Sequence, residues 1–149
     1  MPESAIAVAS DHAGFDLKEI LKRDLQTAGH EVLDLGTGSM ESVDYPDFGK
    51  AMADAIASGK AARGVLVCGT GIGISIAANR NPKVRAAVVH DATSARLARE
   101  HNDANVVAFG QRLIGVETAR EALRVFLKTG WEGGRHARRV EKLSKGCQK

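Results

Sequence analysis

The stretch Val65-Leu66-Val67-Cys68-Gly69-Thr70-Gly71-Ile72-Gly73-Ile74-Ser75-Ile76-Ala77-Ala78-Asn79 constrains the fold of this chain more than any other. Val65 to Cys68 is short, apolar and rich in β-branched residues, which is the pattern of a strand buried on both faces of a parallel sheet. Glycines at 69, 71 and 73 then free the backbone, so that N–H groups can come close to a ligand. The helical segment that follows offers its unsatisfied amides and the positive end of its dipole to the same point. The result is a thiol beside an anion-binding loop. The loop lacks the third glycine of the dinucleotide fingerprint and the Gly-Lys-Ser/Thr of a P-loop. Without other signals, Cys68 reads equally well as a small buried hydrophobe.

Strand-like and helix-like patterns alternate along the whole chain, with no linker, repeat or low-complexity tract. This predicts an α/β fold, a Rossmann-like three-layer sandwich on a five-stranded parallel sheet. The expected strands are Ala5 to Ala9, Val32 to Leu35, Val65 to Cys68, Arg85 to His90 and Asn105 to Phe109. The first expected helix carries Leu17, Ile20, Leu21, Leu25 and Ala28 on one face and stops at Gly29. The second opens at Pro46 and stops at Gly59, and later helices cover Ala92 to Glu100 and Gly115 to Thr129. The segment Gly133 to Lys145 reads as a helix with few apolar residues of its own, an arm (133–149) in need of a partner surface. A chain of 149 residues fits one domain, 1–149, burying roughly 70% of its unfolded surface without disulfides or metals.

Cys68 and Cys147 are far apart in sequence, so no disulfide framework, CxxC redox pair or zinc pattern is present. With no basic-flanked apolar leader and no membrane-length apolar run, the chain is expected to be soluble and cytoplasmic. Its net charge of +3 is concentrated near the end, in Arg135, His136, Arg138, Arg139, Lys142 and Lys145. One Trp, one Tyr and four Phe are too few for the interleaved aromatics of a nucleic-acid surface. A small anionic ligand fits better than nucleic acid or membrane.

In open parallel sheets ligands bind at the carboxyl ends of the strands, so the residues following each strand are the candidates for chemistry. Asp11 and His12 after the first strand suit a sugar hydroxyl and a phosphate, although an Asp there is also an ordinary helix cap. His101 and Asn102, at the end of a helix, read locally as a terminator where imidazolium is favoured by the dipole. Arg135 and Arg139, spaced i, i+4, point the same way on a helix and can fork onto one phosphate, with Arg112 after the fifth strand as a third cation. By charge pattern alone they equally form a solvated face. His90-Asp91 reads as a cap, and His30, His136, Arg138 and Cys147 as surface or tail residues.

Together these motifs carry a specific resemblance: Ser10-Asp11-His12-Ala13-Gly14, Asp44-Tyr45-Pro46, Cys68 to Asn79, His101-Asn102-Asp103-Ala104-Asn105, Phe109-Gly110-Gln111-Arg112 and Glu132-Gly133-Gly134-Arg135-His136. The chain resembles the type B ribose-5-phosphate isomerases, a family that also includes allose-6-phosphate isomerase and the galactose-6-phosphate isomerase subunits. The resemblance implies an aldose–ketose isomerase that needs no metal or cofactor and interconverts D-ribose 5-phosphate and D-ribulose 5-phosphate through a cis-enediolate. Cys68 is then the base between C1 and C2, a task requiring thiolate from a group whose free pKa is about 8.5. The loop Gly69, Thr70, Gly71, Ile72 and Gly73 stabilises the enediolate oxygens. His101 opens the furanose ring, and Thr70 and Asp11 help place the hydroxyls. His12, Arg112, Arg135 and Arg139 match the phosphate ligands, and Asn102 and Tyr45 line the sugar pocket.

The resemblance further implies sites shared across a homodimer or dimer of dimers, with the His101-Asn102 and Arg112 regions coming from the opposite subunit and the C-terminal helix packing across it. Some members use a Glu at the position of Ile74; this chain follows the thiol pattern. The alternatives are another sugar phosphate, such as allose 6-phosphate or a tetrose 4-phosphate, a non-catalytic sugar-phosphate-binding module, and a thiol redox role lacking a nearby resolving cysteine.

Overall fold

A computed structural model describes residues 5–145; Cys147 and the last four positions of the expected arm lie outside them. The strands are β1 (Ala5–Ser10), β2 (Val32–Asp34), β3 (Ala61–Cys68), β4 (Ala86–Val88) and β5 (Val106–Gly110). The α-helices are α1 (Phe15–Thr27), α2 (Tyr45–Ala57), α3 (Ile72–Ala78), α4 (Ala92–Glu100), α5 (Val116–Lys128) and α6 (Ala137–Lys145). All strand pairs are parallel, in the order β2-β1-β3-β5-β4. This is the expected five-stranded α/β sandwich.

Alternation along the central strands sorts their side chains onto two cores. Ile6, Val8, Val65, Val67, Val107 and Phe109 face one layer with Leu17, Leu21 and Leu25 of α1, Ala95 and Ala98 of α4 and Leu123 and Phe126 of α5. Ala7, Ala9, Leu66, Cys68, Val106 and Ala108 face the other, with Met52 and Ala53 of α2 and Ile74 and Ala78 of α3. The α1 stripe lies at i, i+4, i+8, and burying each of its leucines contributes about 1.5–3 kcal/mol.

Boundary differences have physical reasons. β3 begins at Ala61, four residues earlier than its apolar run, because Arg63 and Gly64 pair with Ile6 and Ala7 of β1. Gly64 is required there because a β-carbon would lie 2.3 Å from Met52 Sδ. β4 is shorter than its pattern and bonds only to β5, as an edge strand.

The chain visits β2 on one side of β1 and then crosses to β3 on the other. Its topological switch point therefore lies between the carboxyl ends of β1 and β3, where Ser10 pairs with Val67. No helix of the described residues is long and apolar enough to cross a membrane. α6 buries none of its residues, and Leu143 on it is exposed.

Candidate active site

Cys68 is the last residue of β3 and is 4% exposed, with its side chain in the α2/α3 core layer at the switch point. Gly71 takes φ +79°, open to glycine at little cost, and this turn aims its N–H at Cys68 Sγ, 3.1 Å away. A backbone dipole thus points at the sulfur, where a thiolate's charge would sit. Thr70 Oγ1 accepts from the Ile72 N–H at 3.2 Å. The N–H groups of Gly73 and Ile74, in the first turn of α3, have no preceding helical carbonyl to bond. α3 itself is only seven residues long.

Neighbouring strand ends close around this loop. Gln111 N–H donates to the Cys68 carbonyl and Arg112 N–H to that of Gly69, both at 3.0 Å. A β-carbon on Gly69 would sit 3.2 Å from Arg112 Nη1, so the guanidinium lies over the loop of its own chain. β5 pairs with β3 up to Gly110 and Cys68, which brings the residues after both strands together. The Tyr45 ring packs directly on Gly73, where a β-carbon would meet its Cε2 and Cζ at 2.6 Å.

Asp11 and His12 complete this rim. Asp11 is buried, and its Oδ1 accepts from Gly14 N–H at 3.1 Å, so one carboxylate oxygen serves as the cap of the short 3-10 turn His12–Gly14. His12 Nδ1 accepts from Val43 N–H at 3.1 Å. That bond assigns the remaining ring proton to Nε2, a donor suited to an anion. The loop carrying Val43 is anchored at its start by the buried ammonium of Lys18, which donates to Asp34 Oδ1 at 3.0 Å and to the Thr37 carbonyl at 2.8 Å. Neither Lys18 nor Val43 carries a local sequence signal for this role. His90-Asp91 behaves as the expected cap, with Asp91 Oδ1 accepting from Ser94 N–H at 2.7 Å.

The remaining candidates stand elsewhere. α4 starts beside the carboxyl end of β4 and runs back along the sheet, so His101 and Asn102 arrive at the amino ends of the strands. There Asn105 O accepts from Gly64 N–H, four residues before Cys68, which places about 13 Å of strand between the two rims. His101 is stacked on His136, with ring centroids 4.4 Å apart and planes at 19°, and Trp131 is tilted against His136 at 6.1 Å. Arg135 lies in the adjoining 3-10 turn Gly134–His136 and Arg139 at the start of α6, both exposed.

His136, read from sequence as a tail residue, is 6% exposed. Burial, helped by the nearby His101 and Arg135, holds its pKa below the usual histidine value. His101, Glu132 and His136 offer ligand atoms within 4.8 Å of one another. The in-plane lone pairs of two face-to-face imidazoles, however, lie in nearly parallel planes, and a common ion would require the stack to open.

The candidate residues therefore fall into two groups at opposite ends of the sheet: a thiol, an amide loop, Asp11, His12, Tyr45 and Arg112 in one, and His101, Asn102, Arg135 and Arg139 in the other.

The model of the family described as Ribose/Galactose Isomerase matches residues 6–143. Among curated proteins, the chain is 47% identical over 139 residues to ribose-5-phosphate isomerase B of Escherichia coli, covering 93% of each chain. It is 44% identical over 142 residues to the D-erythrulose-4-phosphate isomerase of Pectobacterium atrosepticum, covering 93% of this chain and 92% of that one. Among solved structures, a ribose 5-phosphate isomerase of Thermotoga maritima superposes with a TM-score of 0.93 at 51% identity, over 95% of this chain and 98% of that one.

Proposed function

The chain belongs to the ribose/galactose isomerase family, and from that premise we propose that it interconverts D-ribose 5-phosphate and D-ribulose 5-phosphate, a step of the non-oxidative pentose phosphate pathway, in the cytoplasm. The observation that carries the chemistry is the Gly71 N–H on Cys68 Sγ at the switch point of the sheet. The Cys68 thiolate takes the proton from C2 of the open-chain aldose while the C1 carbonyl oxygen gains negative charge, forming the cis-enediolate. The proton held on sulfur, exchangeable with solvent, is delivered to C1 while the O2 hydroxyl proton passes to O1 and O2 becomes the carbonyl, so the step is redox-neutral within the substrate. Loop amides from Gly69 to Gly73 face the enediolate oxygens, where preorganised donors act most strongly. Thr70 and Asp11 place the hydroxyls, and Tyr45 and Asn102 line the pocket. His12 Nε2, Arg112, Arg135 and Arg139 hold the phosphate.

A complete site of this kind needs both rims, which one chain holds apart. Two copies arranged so that the His101 rim of one meets the Cys68 rim of the other supply it, with His101 opening the furanose. Exposed apolar residues support such a homodimer. Tyr45, Ile72, Ile76 and Leu113 are exposed around the thiol rim, and α6 leaves Leu143 uncovered. In this reading the chain is one isomerase domain, 1–149, whose arm docks on its partner.

A second substrate is favoured by one observation, the similarity to the D-erythrulose-4-phosphate isomerase, at nearly the same identity as to the pentose enzyme. The test is ribulose 5-phosphate formation from ribose 5-phosphate in the presence of a chelator, with wild type and Cys68→Ala compared. Turnover by the wild type that falls by a factor of about 10²–10⁴ with the substitution supports the reading. A wild type active only on a tetrose or hexose phosphate moves the substrate, and one active on none leaves a binding module.

A further inference from the structure

The stacked imidazoles at the amino rim differ in surroundings. His136 is buried, and its Nε2 has no hydrogen-bond partner. Charging this ring would turn Nε2 into a buried donor with no acceptor, a costly state. The charged groups facing it are His101 at the end of α4, Arg135 and Glu132 of the preceding segment and Arg139 of α6, so cations outnumber the single carboxylate. His101 is half-exposed and caps the C-terminus of α4, where the helix dipole favours a positive charge. His136 is therefore the ring that its surroundings hold neutral.

We propose that His136 is a positioning residue for ring opening, a neutral platform that holds the His101 ring in place by stacking and leaves His101 alone to carry the proton. A neutral ring face lying 4.4 Å below an imidazolium is also the arrangement in which a π-system attracts a cation. Trp131, tilted against His136 at 6.1 Å, adds a second aromatic contact to the platform. The inference rests on the reading of His101 as the ring-opening group. It predicts that the face of residue 136 matters and its nitrogens do not.

The substrates separate this role from a merely structural one. Ribose 5-phosphate is mostly a closed furanose, whereas ribulose 5-phosphate, with O5 phosphorylated, has no hydroxyl left to close a furanose ring. Turnover of the first needs ring opening; exchange of the C1 proton of the second with deuterated solvent needs only enediolate formation. In the full-length protein, His136→Ala is expected to lower kcat on ribose 5-phosphate at least about tenfold, the scale of a misplaced catalytic group. KM and the C1 exchange rate should stay near wild type.

His136→Phe, which keeps an aromatic face and removes both nitrogens, should restore most of the lost turnover. Equal losses in turnover and exchange, failure of Phe to rescue a folded protein, or an unaffected Ala variant would each overturn the proposal. A wild type that exchanges the C1 proton but does not turn over ribose 5-phosphate, or does neither, counts against the proposed function instead.

Discussion

Cys68 and His101 stand at opposite ends of one parallel sheet. Cys68 closes β3 level with Gly110 at the end of β5, whereas His101 precedes the start of β5, where Asn105 accepts from Gly64. In the proposed reaction the thiol that moves a proton between adjacent carbons and the imidazole that opens the ring touch the same five-carbon substrate. The strand length between them is too great for one chain to do this, so the proposed reaction calls for two chains.

Asp11 has two carboxylate oxygens and only one is used by the cap on Gly14. Asp11→Ala is expected to cost about 1 kcal/mol of stability through loss of that cap. Asp11→Asn keeps a capping oxygen and should melt near wild type. If the second oxygen places a sugar hydroxyl, Asp11→Asn will still lose activity. Thermal melts beside steady-state rates for the two variants separate cap from ligand, and full activity in Asp11→Asn would reduce the residue to a cap.

Gly73 is where the Tyr45 ring rests. A methyl group there meets ring carbons at 2.6 Å, and Tyr45 is exposed enough to swing away. Gly73→Ala should therefore displace Tyr45 and raise KM by about tenfold, equivalent to ~1.4 kcal/mol. Tyr45→Ala should raise it similarly, and the double variant should be no worse than either alone, since one contact is lost only once. Additive losses would mean that the glycine serves the loop backbone and not the tyrosine.

His136 gives stability a dependence on acid pH. Its folded-state pKa lies below the ordinary value of 6.5, chiefly through burial. As pH falls through that value the unfolded chain binds a proton that the folded chain does not, so stability decreases with falling pH until the folded-state pKa is reached. Denaturant melts between neutral pH and pH 5 should show this loss in wild type and a smaller one in His136→Phe. Identical slopes would mean that His136 titrates alike in both states.

The sheet was legible because its strands are continuous apolar runs, and the helices because their stripes keep a helical period. The first four residues of β3 were not, since Ala61-Ala62-Arg63-Gly64 has no strand character and is extended only by pairing with β1. The thiol loop could be read directly, as all its parts are contiguous. The separation of Cys68 from His101 is also implicit in the alternation, because a helix after a strand must run back to the amino rim. The residues that directly follow strands do not themselves signal it. The burial of His136 could not be read locally: its stacking partner lies 35 residues away, and the basic run around it has the look of a solvated face. The bonds from Val43 to His12 and from Lys18 to Thr37 are likewise set by tertiary contact.

Subunit complementation tests the shared site most directly. Cys68→Ala and His101→Asn proteins, each impaired on ribose 5-phosphate alone, are mixed under conditions that exchange subunits and then assayed. Random mixing makes half of the dimers hybrid, and each hybrid has one site with both groups intact, so roughly a quarter of wild-type activity should return. No recovery from verified hybrids would contradict a site made of the Cys68 rim of one chain and the His101 rim of another.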